Sequence, residues 1–154
     1  MNLEIGDLAP DFTKATNGGG EITLSDLKGK PVVVYFYPRD DTPGCTKEAC
    51  GFRDALPDFS SVNAQILGVS RDTAAKHDKF VAKYDLNFPL VVDDDGSVTE
   101  AYGVWVEKSM YGKTSMGIER ATYLIDADGK IANIWRKVKV PGHVEAVLET
   151  VKAL

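Results

Sequence analysis

The chain is poor in the residues that staple or metallate small proteins: 154 residues contain two cysteines and two histidines. Two cysteines are too few for a secreted disulfide framework. His77 and His143 stand far apart, so the four soft donors of a structural zinc site are not at hand. No segment approaches the roughly 20 apolar residues of a membrane span. The start, MNLEIGDLAPDF, lacks the basic and apolar blocks of a secretory leader, and a soluble cytoplasmic protein is expected. Eighteen Lys and Arg against 23 Asp and Glu leave a net charge of −5, which argues against a non-specific nucleic-acid binder. Repeats, charge blocks and low-complexity tracts are also missing. What is left is one ordinary domain over residues 1–154, long enough to bury a core without staples.

Within it, PVVVYFYP at 31–38 is an unbroken β-branched and aromatic run, as in a central strand covered on both faces. Two short strand-like segments flank the loop NGGGE at 17–21, predicting an N-terminal β-hairpin. A helix is expected from Pro43 to about Leu56, closed by Pro57, with a second buried strand at 64–70. A helix over 73–84 after an Asp72 or Thr73 cap, a strand at 88–93 and a short helix at 96–103 come next. EKSMYGKTSMGIE reads as an exposed polar loop. ATYLID and IANIWRKV pair about the turn at Asp128-Gly129, and an amphipathic helix closes the chain. The order implies an α/β fold: a mixed sheet with helices on both faces. Sites in such sheets lie beyond the carboxyl ends of the central strands, which is where Cys45 falls.

Both cysteines belong to YPRDDTPGCTKEAC, five residues apart. Thr42 is placed to offer an N-cap oxygen, and Pro43 loses nothing at a position whose N–H is an orphan anyway. Cys45 then sits in the first turn, where free N–H groups and the helix dipole favour a thiolate. Gly44 leaves room for a small reactant. A lone cysteine is ordinarily an inert small hydrophobe, but the polar neighbours Asp40, Asp41, Thr42 and Lys47 predict a turn partly open to solvent. Ionisation alone achieves little: lowering a thiol from about 8.5 to about 6 raises the thiolate fraction thirtyfold, and the accompanying loss of nucleophilicity leaves a two- to threefold gain. A fast reaction needs donors aimed at developing charge. The candidate cations are Arg39, Arg53, Arg71, Arg120 and Arg136, and spacing does not choose among them, although Arg120 opens a strand that could lie beside the first helix. On an ideal helix, residues i and i+5 are about 140° and 7.5 Å apart, so their Cα atoms lie roughly 8.7 Å apart. A disulfide requires about 4.4–6.8 Å. Either the two never bond, or they bond after the helix unwinds. Gly51 lowers the cost of unwinding.

These residues resemble a known family. YPRDDTPGCTKEACGFRD is similar to the active-site segment of the peroxiredoxins, with their Pro-x-x-x-Thr-x-x-Cys signature, and specifically to the bacterioferritin-comigratory-protein or Q-type group. KSMYGKTSMGIERATYLID, ILGVSRD and GDLAPDFT match further segments in the right order. The resemblance implies a thioredoxin-like fold and reduction of hydrogen peroxide and alkyl hydroperoxides. It implies Cys45 as peroxidatic nucleophile, Thr42 as a hydrogen-bonding partner of peroxide, Pro38 as a shield and Arg120 as the polarising cation. Cys50 becomes the resolving cysteine of an intramolecular disulfide, reduced by thioredoxin or a similar dithiol. Glu48 is either the group that orients a pocket arginine or a solvated carboxylate on the helix. Gly51 stands where relatives commonly carry a polar residue, a departure that touches helix stability. The resemblance also implies a monomer without cofactor or metal. The alternatives are a peroxide-sensing redox switch and a protein disulfide oxidoreductase, and the spacing of five weighs against the latter.

Overall fold

The computed structural model describes residues 3–154. The β-branched and aromatic run expected to be central forms β3 (Val32–Phe36), in the middle of a five-stranded sheet of order β5-β4-β3-β8-β9. β4 (Gln65–Ser70) lies parallel to β3 on one side, and β8 (Ala121–Ile125) lies antiparallel on the other. β5 (Leu90–Val92) and β9 (Ile131–Trp135) form the edges. The strand alternates between two cores, as its period of two requires. Val33 and Tyr35 face one apolar layer, formed with α1 (Pro43–Ser61), Phe80 of α2 (Ala74–Tyr84) and Val144, Val147 and Val151 of α4 (His143–Lys152). Val32, Val34 and Phe36 face the other, with Phe12, Leu24, and Val98 of the short α3 (Ser97–Ala101). Helices thus cover both faces unequally. The N-terminal segment helps α3 close the second face, and it contains the expected hairpin of β1 (Thr13–Ala15) and β2 (Glu21–Thr23).

Two expectations are corrected. α1 does not stop at Pro57 but continues to Ser61 with Pro57 inside it. An internal proline removes the N–H that would bond the carbonyl four residues back, here that of Arg53. Asn87 replaces it, its side-chain Nδ2 donating to Arg53 O at 3.2 Å, while Arg53 Nη1 donates to Tyr84 O at 2.7 Å. The predicted polar loop is instead a hairpin of β6 (Trp105–Met110) and β7 (Lys113–Ile118), paired from Trp105↔Ile118 to Met110↔Lys113. Its turn residues Tyr111 and Gly112 both have positive φ, 53° and 76°, as two-residue hairpins demand. Most of its residues are exposed, so neither face carries the apolar alternation that marks a strand.

Gly51 has a packing role besides its effect on helix propensity. A Cβ there would lie 3.1 Å from Val144 Cγ2, so the glycine lets α1 approach α4 closely. Among the described residues, no helix is long and apolar enough to cross a membrane.

Candidate active site

The β3–α1 connection is held mainly from α2. Asp41 adopts a left-handed φ of 57°; its carboxylate accepts from Lys83 Nζ at 2.8 Å and Tyr84 Oη at 2.7 Å. Asp40 is tied inward: Tyr37 Oη donates to its Oδ1 at 2.6 Å, and its backbone N–H donates to Asp72 at 2.8 Å. His77, fully buried, places Nδ1 2.6 Å from Asp40 Oδ2 and Nε2 2.8 Å from Val91 O. A carbonyl only accepts, so Nε2 carries hydrogen, and the 2.6 Å contact holds a second proton between imidazole and carboxylate. Burial works against the charged ring, but the Asp40 bond and charge outweigh it and raise the His77 pKa. This clamp was invisible in the sequence, where His77 is an isolated histidine on a helix.

Thr42 occupies the N-cap position of α1, but its hydroxyl is not the capping acceptor expected. It donates to Arg39 O at 3.0 Å, closing the loop on itself. Thr73, by contrast, caps α2 by accepting from the Lys76 N–H. The first turn of α1 carries Gly44 and Cys45 ahead of the bond from Thr46 N–H to Thr42 O, so their N–H groups are the unpaired donors of a helix start.

Cys45 is 1% exposed, not partly open as its polar neighbours suggested. It packs into the layer under β3, and Arg120 lies against it from the β7–β8 junction. Arg120 Nη2 donates to Cys45 Sγ at 3.3 Å while Nη1 donates to Glu48 Oε1 at 2.7 Å. Of the five candidate arginines, this is the one with a hydrogen bond to the sulfur. Its backbone is fixed on both sides. Arg120 O accepts from Val138 N–H at 3.0 Å, and the N–H of the neighbouring Glu119 donates to Val104 O at 2.8 Å. Gly44 makes room for the guanidinium: a Cβ there would come 3.1 Å from Nη2.

Glu48 stands one turn beyond Cys45 on the same helix, fully buried rather than solvated. Burial pushes its carboxyl up to about 7, although Arg120 pulls the other way. Its Oε2 and the Tyr35 hydroxyl are buried without hydrogen-bond partners. Pro38 and Thr42 line an open cleft of about 610 Å³, whose walls include Arg71, Trp105, Lys108 and Met116. The Arg71 guanidinium stacks 3.4 Å over the Trp105 ring. Cys50 is partly buried on α1, and both thiols are free. With α1 continuous through both positions, the ideal-helix separation of roughly 8.7 Å applies.

A buried thiol at a helix start, beside a guanidinium whose second nitrogen is held by a carboxylate, is suited to attack a small electrophile and stabilise the charge that develops. Comparison with known proteins agrees with that chemistry. Residues 5–134 match the AhpC/TSA family. The Bacillus subtilis peroxiredoxin Bcp is 51% identical over 152 residues, covering 99% of this chain and 97% of that one. Among solved structures, a Xylella fastidiosa PrxQ variant superposes with a TM-score of 0.94 at 43% identity, covering 99% and 98% of the two chains. The Xanthomonas campestris bacterioferritin comigratory protein, studied for its alkyl peroxide reduction activity, superposes with a TM-score of 0.91 at 46% identity, covering 98% and 96%. The chain belongs to the AhpC/TSA family, within its Bcp and Q-type peroxiredoxins, and is a peroxidase of thioredoxin-like fold.

Proposed function

We propose that the chain reduces hydrogen peroxide and alkyl hydroperoxides with Cys45 as nucleophile and Cys50 as resolving thiol. The observation that carries this reading is the Arg120 fork, one nitrogen 3.3 Å from Cys45 Sγ and the other held by Glu48. The Cys45 thiolate attacks one peroxide oxygen, the O–O bond breaks, and the second oxygen leaves as water or alcohol. Arg120 and the N–H groups of Gly44 and Cys45 stabilise the charge shifting between sulfur and oxygen. Thr42 and Pro38, at the cleft wall, supply a peroxide contact and a shield.

The resulting sulfenic acid is reversible only if a thiol reaches it before a second peroxide does. Cys50 is too distant on the intact helix, so the first turns of α1 unwind and the two sulfurs condense with loss of water. A dithiol such as thioredoxin then reduces the disulfide. The cycle needs a single chain, which suits a monomer, and a reduced Cys45 at the start of each round, which suits the reducing cytoplasm.

The test is turnover. Wild-type protein supplied with thioredoxin, its reductase and NADPH should consume peroxide in large excess over protein, and Cys45→Ser should consume none. Cys50→Ser should keep the first oxidation and lose protection from sulfinic acid. A single stoichiometric oxidation without recycling would instead make the chain a peroxide-sensing switch.

A further inference from the structure

The buried site holds two acids and one cation. Cys45 and Glu48 are both shut off from solvent and share the guanidinium of Arg120, whose side chain is 16% exposed. With both acids ionised the cluster would carry an uncompensated negative charge, and Glu48 Oε2 would be a charged oxygen without a donor. Burying an unpaired anionic oxygen is far costlier than burying a neutral carboxyl group. Of the other groups near the pair, the Tyr35 hydroxyl of β3 makes no hydrogen bond to either acid and burial raises its pKa; Lys108 of β6 acts on Cys45 and Arg120 through its charge alone, and His143 of α4, lowered to about 4, stays neutral beside Arg120. Arg120 is thus the one cation hydrogen-bonded to both acids.

We propose that Cys45 and Glu48 share one negative charge: in the reduced protein the sulfur is the thiolate and Glu48 keeps a proton, which it releases when Cys45 is oxidised. This rests on Cys45 being the nucleophile. The balanced step is Cys45–S⁻ + ROOH + Glu48–COOH → Cys45–SOH + ROH + Glu48–COO⁻. An S–O bond forms and the O–O bond breaks, with sulfur losing the two electrons that the peroxide gains. The leaving alkoxide or hydroxide requires one proton. The neutral sulfenic acid no longer competes for Arg120, so Glu48 ionises and supplies that proton in net terms. Burial, which pushes the Glu48 carboxyl up to about 7, favours the retained proton below that pH. Glu48 therefore does more than orient Arg120: it keeps the cluster's charge constant through the reaction.

Proton counting tests this. Cys50→Ser protein isolates the first step; it is mixed with hydrogen peroxide at about pH 6.5, below the Glu48 value, in weak buffer with a pH indicator. Loss of thiolate ultraviolet absorbance counts the oxidised Cys45. The expected result is well below one proton taken up per thiolate lost, rising to about one when Glu48→Gln is added. Uptake near one without the Glu48 substitution shows a carboxylate already ionised and overturns the proposal. Equal uptake in the two proteins also overturns it, as does oxidation without loss of thiolate absorbance. Because the Cys50→Ser measurement decides alone, misfolding of the Glu48→Gln protein would not protect the proposal. If peroxide forms no sulfenic acid at all, the assignment of the nucleophile fails instead.

Discussion

At the scale of the residue, Arg120 is the side chain on which the site is assembled. Its two terminal nitrogens reach different partners, Cys45 Sγ and Glu48 Oε1, so charge alone does not define its role. A lysine would deliver one compact charge without the planar fork. Arg120→Lys is therefore expected to slow oxidation of Cys45 by about 10²–10³-fold, the range for losing one aimed donor in an active site. Stopped-flow Trp fluorescence against peroxide concentration would measure it, and a loss below about threefold would refute the fork's importance. The chemical types at the candidate site were legible in the sequence: the cysteine pair, the Thr-Pro helix start and a set of five candidate arginines. Their burial was not. Polar neighbours made the turn look open, whereas Arg120 folds back over the sulfur from a junction 75 residues away, a tertiary contact that no local pattern encodes.

At the scale of the element, α1 has two unlike halves. Its first turns carry the cysteines; beyond them Arg53 is tied to Tyr84 O and Asn87, and the helix runs through Pro57 to Ser61. Oxidation is expected to raise amide exchange over residues 43–51 and leave 53–61 protected. Hydrogen–deuterium exchange of reduced and disulfide-bonded protein would read this, and exchange spreading evenly along α1 would contradict it. Gly51, at the border, costs a helix about 1 kcal/mol relative to alanine, and its missing Cβ also admits Val144. The helix end was misread because Pro57 is a sound stop signal locally; the compensating amide of Asn87 lies 30 residues downstream. The β6–β7 hairpin escaped for the opposite reason. Pairing and the Tyr111-Gly112 turn hold it, with little buried surface to leave a hydrophobic period.

At the scale of the whole molecule, the two histidines respond to acid and alkali with opposite signs. His143, packed near Phe52 and Trp135 with Nε2 2.8 Å from Thr122 Oγ1, is lowered to about 4 by burial, with the charge of Arg120 adding to the effect. The folded state therefore binds fewer protons than the unfolded one. Stability is full above about pH 6.5 and is lost as pH falls towards 4, by about 2–3 kcal/mol at most. Urea midpoints across that range should fall for the wild type and fall less for His143→Gln; parallel curves would show that other groups govern acid unfolding. His77 has the reverse sign. Its raised pKa gives a contribution present below the unfolded value near 6.5 and lost as pH rises through the higher folded value. The clamp on the β3–α1 loop is therefore expected to slacken on the alkaline side. The mixed sheet and the central place of β3 were legible because long β-branched runs and alternating elements carry a strong signal. The histidine contacts join residues whose proximity exists only once that sheet is formed.

The amide of Asn87 has one more consequence. It ties the Arg53 carbonyl to the α2–β5 loop from outside the helix, so residue 53 keeps an anchor that does not run through the first turns of α1. Melting residues 43–51 then has a firebreak: the disruption halts where the chain is moored to the α2–β5 loop, the sheet keeps its cover, and rewinding after reduction begins from a standing stump of helix. Extending a formed helix is fast, whereas nucleating one is the slow and unfavourable event, so each round of the proposed cycle would repeat only the easy part of folding.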